Sequence, residues 1–134
     1  KGFPWPLGSY TNSRNFLSIE NLCFVISEIL RVKLVSGIYN VSDDKALSTI
    51  DLVTIIAEVS NIKPMIWNIP KSMIEILAKV GNTAPFPLNE ERLEKLTENY
   101  LVSNNKIKEA LGIQKMPISA KEGIKSTFID FESK

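Results

Sequence analysis

Arg14-Asn15-Phe16-Leu17-Ser18-Ile19-Glu20-Asn21-Leu22-Cys23-Phe24-Val25-Ile26-Ser27-Glu28-Ile29-Leu30 is the stretch around which the chain is organised. Ile19, Leu22, Cys23, Ile26, Ile29 and Leu30 recur at the spacing of one helix face, which predicts an amphipathic helix with that face buried. Ser18 stands at the N-cap position, and Glu20 falls in the first turn, where the helix dipole favours a negative charge. The helix is expected to end near Arg31–Lys33. A cation, Arg14, therefore precedes a buried helix by a few residues, a way of holding a guanidinium at the lip of a cleft.

Composition narrows the classes. At 134 residues, 44% hydrophobic and 23% charged, the chain is an ordinary globular domain or a piece of a larger one. A net charge of +1 gives no reason to expect nucleic acid or an anionic membrane surface. No apolar run approaches a membrane span, and no signal peptide is visible. Lys1 is not a natural start, so the chain is expected to begin inside a longer one. The single cysteine, Cys23, excludes an internal disulfide and reads as a core residue on the apolar face. A reducing, cytoplasmic setting is the expectation. There is no histidine, so histidine base catalysis and histidine metal ligation are excluded, and one cysteine cannot make a thiolate zinc site. The six glycines fit neither a G-x-G-x-x-G nor a P-loop pattern. No catalytic residue and no metal ligand is assigned.

Outward from the first helix, Pro4-Trp5-Pro6-Leu7-Gly8 reads as an extended, semi-rigid segment, followed by a polar loop. Beyond Gly37, Gly37–Ser42 reads as a short β-branched strand, with Asp43-Asp44 as a turn. Ser48 and Asp51 resemble a capping box that opens a helix to about Ser60, with Leu52, Ile55, Ile56 and Val59 on one face and Asn61 as its stop. Met65–Ile69 is a second strand candidate between Pro64 and Pro70. A helix carrying Met73, Ile76, Leu77 and Val80 runs to Gly81, and Asn82–Leu88, with Pro85 and Pro87, is a loop. A short helix follows over Asn89–Leu96, then a strand at Tyr100–Val102. Ser103 caps a helix that Gly112 ends. Ser119 and Glu122 make a second capping box, opening a last helix with Ile124, Thr127, Phe128 and Phe131 inward. Helices alternating with short strands predict an α/β architecture with short parallel strands.

Three stretches together resemble the C-terminal half of the extended short-chain dehydrogenases/reductases, the nucleotide-sugar epimerase/dehydratase family. Pro4–Gly8 with Asn12–Leu22 is similar to that family's apolar strand, loop and Arg-x-φ-φ-x-φ-x-Asn-Leu segment. Gly37-Ile38-Tyr39-Asn40-Val41 with the Ser48-capped helix resembles its Gly-x-Tyr-Asn-φ strand and following helix. Arg92-Leu93, Val102–Lys108, Leu111-Gly112 and Ser119–Gly123 resemble its closing pattern, with Asn15, Glu20 and Ser103 as departures. The Pro-x-Pro-Leu-Gly segment looks most like the UDP-glucose 4-epimerase-like and UDP-4-ketosugar reductase group.

The resemblance implies the C-terminal, substrate-binding region of a Rossmann-type enzyme, spanning 1–134 as a single fragment without the dinucleotide-binding N-terminal domain. NAD or NADP would be held mainly by that domain, and none is expected on the fragment alone. Tyr10, Tyr39 and Tyr100 are followed four residues on by Arg14, Asp43 and Asn104, so the family's Tyr-x-x-x-Lys pair does not occur and the fragment alone should be inactive. Arg14 would bind the diphosphate of a UDP-sugar, and Arg92 would clamp it from the opposite side, since a planar fork of donors suits phosphate oxygens. Trp5 and Leu7 would flank the uracil, and Asn12 would reach a ribose or phosphate oxygen. The competing readings are plain: solvated cations for the arginines, core packing for Trp5 and Leu7, and turn chemistry for Asn12. Trp67 and Phe86 read as core or lid packing. Expected partners are the UDP-sugar, the N-terminal domain and a homodimer, through an apolar face left open without that domain. The rival is a non-catalytic, stand-alone protein-interaction domain.

Overall fold

The structure, a computed structural model, describes residues 4–83 and 88–132. The expected loop residues Pro85, Phe86 and Pro87 lie outside the described residues. Six helices follow in order among those described: α1 (Ile19–Arg31), α2 (Thr49–Val59), α3 (Lys71–Gly81), α4 (Glu90–Thr97), α5 (Asn105–Leu111) and α6 (Ala120–Glu132). The chain divides into two compact units. Unit 1 comprises Lys1–Ser13 and Ser48–Asn99, and unit 2 comprises Arg14–Leu47 and Tyr100–Lys134.

The α/β expectation, and with it the Rossmann-type arrangement of parallel strands, is overturned: among the described residues the regular structure is all helical. The three expected strands reduce to isolated bridges or to none. Trp5 pairs with Ile66 in the parallel sense and Leu7 with Asn68 in the antiparallel sense, so no continuous ladder runs along that pair. Pro4 and Pro6 explain part of this, because proline has no N–H to donate to a ladder. Tyr100 makes a single bridge, to Arg14. Gly37–Ser42 makes no backbone–backbone hydrogen bond among the described residues, and a β-prone sequence without a neighbouring strand forms no sheet.

The helix boundaries follow local chemistry. Ser18 caps α1 by accepting from the Asn21 N–H. Ser48 and Asp51 cap α2 reciprocally, and Ser119 and Glu122 do the same ahead of α6. Two helices end in the same six-residue device. After α2, Ile62 N–H bonds Ala57 C=O and Asn61 N–H bonds Glu58 C=O, with Asn61 at φ 54°. After α5, Ile113 N–H bonds Lys108 C=O and Gly112 N–H bonds Glu109 C=O, with Gly112 at φ 69°. The α5 N-terminus differs from expectation, since Asn104 rather than Ser103 stands at the cap.

Which helix faces are buried also differs. In α1 the buried residues are Asn21 and Val25; of the expected face, Leu22 and Ile29 are half-buried, with Ile29 packed against the unit 2 core, while Ile19, Cys23, Ile26 and Leu30 are exposed. Cys23 is therefore not a core residue. In α3 the buried residues are Ile74, Ala78 and Gly81, and the expected face of Met73, Ile76, Leu77 and Val80 is exposed. Each of these helices carries apolar residues around more than one face, so the periodicity matched a stripe that this chain leaves open. Phe131 and Thr127 of α6 are likewise exposed, as is Trp67.

Each unit has its own core. In unit 1, Leu7, Ile74, Ala78 and Leu93 pack together, joining the 4–8 segment to α3 and α4. In unit 2, Val25 of α1 meets Ile107 and Leu111 of α5 and Met116. Full burial of such side chains contributes about 1.5–3 kcal/mol each.

Unit 2 also contains a buried polar network. The Asp43 carboxylate is 1% exposed. It accepts from the Ser18 backbone N–H at 3.1 and 3.2 Å, from the Ser18 hydroxyl at 3.2 Å and from the Asn21 amide at 2.7 Å. The carboxylate thus sits at the N-terminus of α1, where the helix dipole offsets part of its desolvation. Asn21, fully buried, also donates to Ile118 C=O at 2.9 Å and accepts from Ile118 N–H at 3.2 Å. Close by, a Cβ on Gly123 would lie 2.4 Å from the Ser18 Cβ, so only glycine lets α6 cross the α1 cap there.

Asp44 ties α5 to the chain ahead of α6, accepting from Lys108 Nζ at 2.7 Å, Asn104 Nδ2 at 3.0 Å and Met116 N–H at 2.7 Å. Burial raises its carboxyl, but these donors together outweigh it, and its pKa lies below the usual carboxylate value. A folded-state value below the unfolded one contributes stability above the unfolded pKa, and that stability is lost as pH falls through the folded one.

Two outcomes are expected. Asn21→Ala strips partners from Asp43 and from both Ile118 backbone groups, and should cost about 2–4 kcal/mol in urea unfolding. An unchanged midpoint would show that the network does not hold the unit. Lys108→Met should move the Asp44 titration upward in carboxyl NMR and reduce the stability lost on acidification through it.

Candidate functional site

The residues singled out in the sequence fall in both units. Unit 1 brings four of them onto connected elements. Trp5, half-buried, is fixed by its backbone: its N–H bonds Met65 C=O at 2.7 Å and its C=O accepts from Trp67 N–H at 2.8 Å. Leu7, 3% exposed, lies in the core cluster with Leu93, and Trp5 packs against that cluster. Arg92 precedes Leu93 on α4 and is exposed, with its backbone N–H capped by Asn89 Oδ1 at 2.9 Å. The apolar contact of Leu93 therefore fixes the side of α4 from which the neighbouring Arg92 projects.

Asn12 is 6% exposed, and its amide is engaged on both sides. Its Nδ2 donates to Thr49 Oγ1 at 2.8 Å and to Leu96 C=O at 3.3 Å, and its Oδ1 accepts from Thr49 N–H at 3.0 Å. Thr49 Oγ1 donates in turn to Leu96 C=O at 3.1 Å. Asn12 thus joins the first turn of α2 to the last turn of α4, the helix that carries Arg92.

Arg14 belongs to unit 2 and is half-buried. Its N–H bonds Leu47 C=O at 2.9 Å and its C=O accepts from Leu47 N–H at 2.8 Å. The next residue, Asn15, bonds Tyr100 C=O through its backbone N–H at 2.9 Å. The Asn15 side chain donates to Asp43 C=O at 3.3 Å and accepts from Val102 N–H at 2.9 Å. The backbone that presents the Arg14 guanidinium is thus held from two sides.

The sequence reading missed a cavity of about 490 Å³ in unit 1, lined by Tyr10, Glu75 and Lys79 of α3, and Glu90 and Glu94 of α4. Burial raises the Tyr10 phenol, and the Glu75 carboxylate adds to the shift. Lys71 Nζ lies 5.2 Å from the centre of the Tyr10 ring. The Tyr10 hydroxyl and the Trp5 Nε1 are buried without a hydrogen-bond partner among the described residues. Such groups are uncommon in folded proteins. The four-residue spacings of Glu75 with Lys79 and of Glu90 with Glu94 were visible in the sequence; that the two helices face each other was not. The described residues hold no group of three or more His, Cys, Asp or Glu side chains arranged for a metal ion. No helix among them is long and apolar enough to cross a membrane.

No protein-family model matches the chain, and no curated protein does. Among solved structures the chain is similar to RMD from Pseudomonas aeruginosa complexed with NADPH, at 16% identity and a TM-score of 0.61. The match covers 99% of this chain and 36% of RMD, so the chain spans about a third of that protein's length. At this identity the likeness is one of fold alone.

Asn12→Ala should destabilise unit 1 by about 1–3 kcal/mol, since it leaves the Thr49 N–H without its cap. Amide exchange should then speed up at the end of α4 more than in α3. Equal exchange in both helices would show that Asn12 does not hold α4.

Proposed function

We propose that this chain is the substrate-binding part of an NAD(P)-dependent nucleotide-sugar epimerase, dehydratase or reductase of the extended short-chain dehydrogenase/reductase kind, with a UDP-sugar as its ligand. The observation that carries the reading is Arg14: a residue of the resembled Arg-x-φ-φ-x-φ-x-Asn-Leu segment, on backbone pinned at Leu47 and, through Asn15, at Tyr100. A guanidinium presented from fixed backbone loses less freedom when it forks onto phosphate oxygens, which is how a positioning arginine gains affinity. The fold likeness to RMD, a protein solved with NADPH, supports the same reading at the level of fold.

In this reading Arg14 of unit 2 is a phosphate ligand; for unit 1, taken by itself, the resemblance gives Arg92 a phosphate contact and Trp5 a place beside the base. Asn12 is a positioning residue, because its amide is spent on Thr49 and Leu96. Leu7 supports Trp5 from the core rather than touching the base. This chain's residues do not suit a dinucleotide: no Gly-x-x-Gly-x-x-Gly loop and no Tyr-x-x-x-Lys pair occurs in it. The nicotinamide and the catalytic base belong to other parts of a whole enzyme, and no proton or hydride step is assigned here. The chain's own contribution is to hold the nucleotide so that the sugar is presented in one orientation.

UDP and UDP-hexoses should raise the melting temperature of the chain in a concentration-dependent way. Arg14→Ala should weaken UDP binding roughly 10- to 100-fold in calorimetry, the loss expected for a charge-assisted phosphate contact. Absence of any shift at millimolar UDP, or full affinity in Arg14→Ala, would sink the reading and leave the interaction-domain alternative.

A further inference from the structure

Asn15 follows the candidate phosphate arginine and spends both ends of its amide on backbone. Its Nδ2 donates to Asp43 C=O at 3.3 Å, and its Oδ1 accepts from Val102 N–H at 2.9 Å. Its own N–H bonds Tyr100 C=O at 2.9 Å. All of these residues belong to unit 2. Arg14 has a backbone neighbour on each edge, antiparallel at Leu47 and parallel at Tyr100. The Arg14 N–H and C=O are both spent on Leu47, so the Tyr100 edge is tied through Asn15. Asp43 adds a further hold, since its N–H bonds Phe16 C=O at 2.7 Å. Segments distant in sequence, at 43, 47 and 100–102, thus converge on Arg14, Asn15 and Phe16.

We infer that Asn15 is a positioning residue that fixes the Arg14 guanidinium for its phosphate contact, a role that rests on the nucleotide-sugar reading above. The side chain at this place must give a hydrogen to a carbonyl and take one from an N–H, and an amide carries both groups. An ionised aspartate would set a carboxylate against the Asp43 carbonyl, two acceptors with no hydrogen between them. In extended backbone, successive side chains leave opposite faces, so the clamp at Asn15 does not fill the space in front of Arg14. Asn15 therefore acts on the ligand through Arg14 and not by touching it. With both edges tied, the direction in which the Arg14 side chain leaves the backbone is set before the ligand arrives. Without the amide, binding must also order that segment, and affinity falls by the cost of doing so.

Asn15→Leu keeps the side-chain volume approximately and removes both amide bonds. It should weaken UDP binding about 3- to 10-fold in calorimetry, the loss expected when one more side chain must be ordered on binding. In an Arg14→Ala background the same substitution should change the remaining affinity by less than about twofold, because nothing is left to position. Asn15→Gln, which keeps a donor and an acceptor, should recover part of the loss. Gly112→Ala strains the end of α5, where φ is 69°, and should lower stability while leaving UDP affinity unchanged. A second readout needs no ligand: nitrogen-15 relaxation at Arg14 Nε should show less order in Asn15→Leu than in the unmodified chain, and unchanged order in Gly112→Ala. If Asn15→Leu fails to fold, Asn15→Ser, which shortens the clamp, takes its place in each comparison. Equal losses of affinity with and without Arg14, or unchanged order at Arg14 Nε, would overturn the proposal. If the unmodified chain ignores millimolar UDP, the phosphate reading fails, and the order at Arg14 Nε alone decides whether Asn15 positions the guanidinium.

Discussion

A buried carboxylate is expensive unless hydrogen-bond donors reach it, and unit 2 is built to satisfy one. Asp43 holds the N-terminus of α1 with hydrogen bonds from Ser18 and Asn21, and the helix dipole adds to them. Much else depends on that contact. The Phe16 carbonyl is held by the Asp43 N–H at 2.7 Å, so the approach to α1 is fixed from the same residue. Asn21 passes the constraint to Ile118, immediately before the α6 capping box, and Gly123 lets α6 come close to Ser18. Removing one member would leave others buried and unpaired, which is why the network is cooperative rather than a set of separate contacts.

Asparagine amides do in this chain what strand ladders do elsewhere. Asn15 bridges Asp43 C=O and Val102 N–H, Asn21 bridges Asp43 and Ile118, and Asn104 reaches Ser42 C=O at 2.8 Å. In unit 1, Asn12 joins α2 to α4. An amide carries both donors and an acceptor, so one side chain can satisfy two backbone groups that have no ladder partner. This accounts for the extended segments that, among the described residues, are held beside the helices without forming a sheet. It also gives Asn12 and Asn15 positions flanking the candidate phosphate arginine in sequence, with each anchored in its own unit.

The apolar stripes explain where periodicity misled. In α1, residues suited to burial occur on both the Asn21–Val25 side and the Ile19–Leu30 side, and in α3 on both the Ile74–Ala78 side and the Met73–Val80 side. A period of 3.6 shows that a stripe exists; which of two stripes faces the core depends on what is packed against the helix. The open stripes leave Ile19, Ile26 and Leu30 of α1 and Met73, Ile76, Leu77 and Val80 of α3 exposed. The candidate site shows the same division. Arg14 and Arg92 stood out in the sequence by their neighbours, whereas Tyr10 and Glu75 came forward only because α3 and α4 enclose a cavity.

The sequence by itself determined what depends on neighbours a few residues away. The caps of Ser18, Ser48 with Asp51 and Ser119 with Glu122, the stops at Asn61 and Gly112, and the order of the helices all rest on local hydrogen bonds and backbone preference. The absence of histidine and of a second cysteine likewise excluded whole classes of chemistry. Only the tertiary structure decided whether Gly37–Ser42 and Tyr100–Val102 would become strands, which stripe of α1 and α3 would be buried, and that Asp43 would lie in the interior. These outcomes turn on partners distant in sequence. A strand needs a second backbone to accept its hydrogen bonds, a helix face needs a surface to exclude water, and a buried charge needs donors brought from elsewhere in the chain.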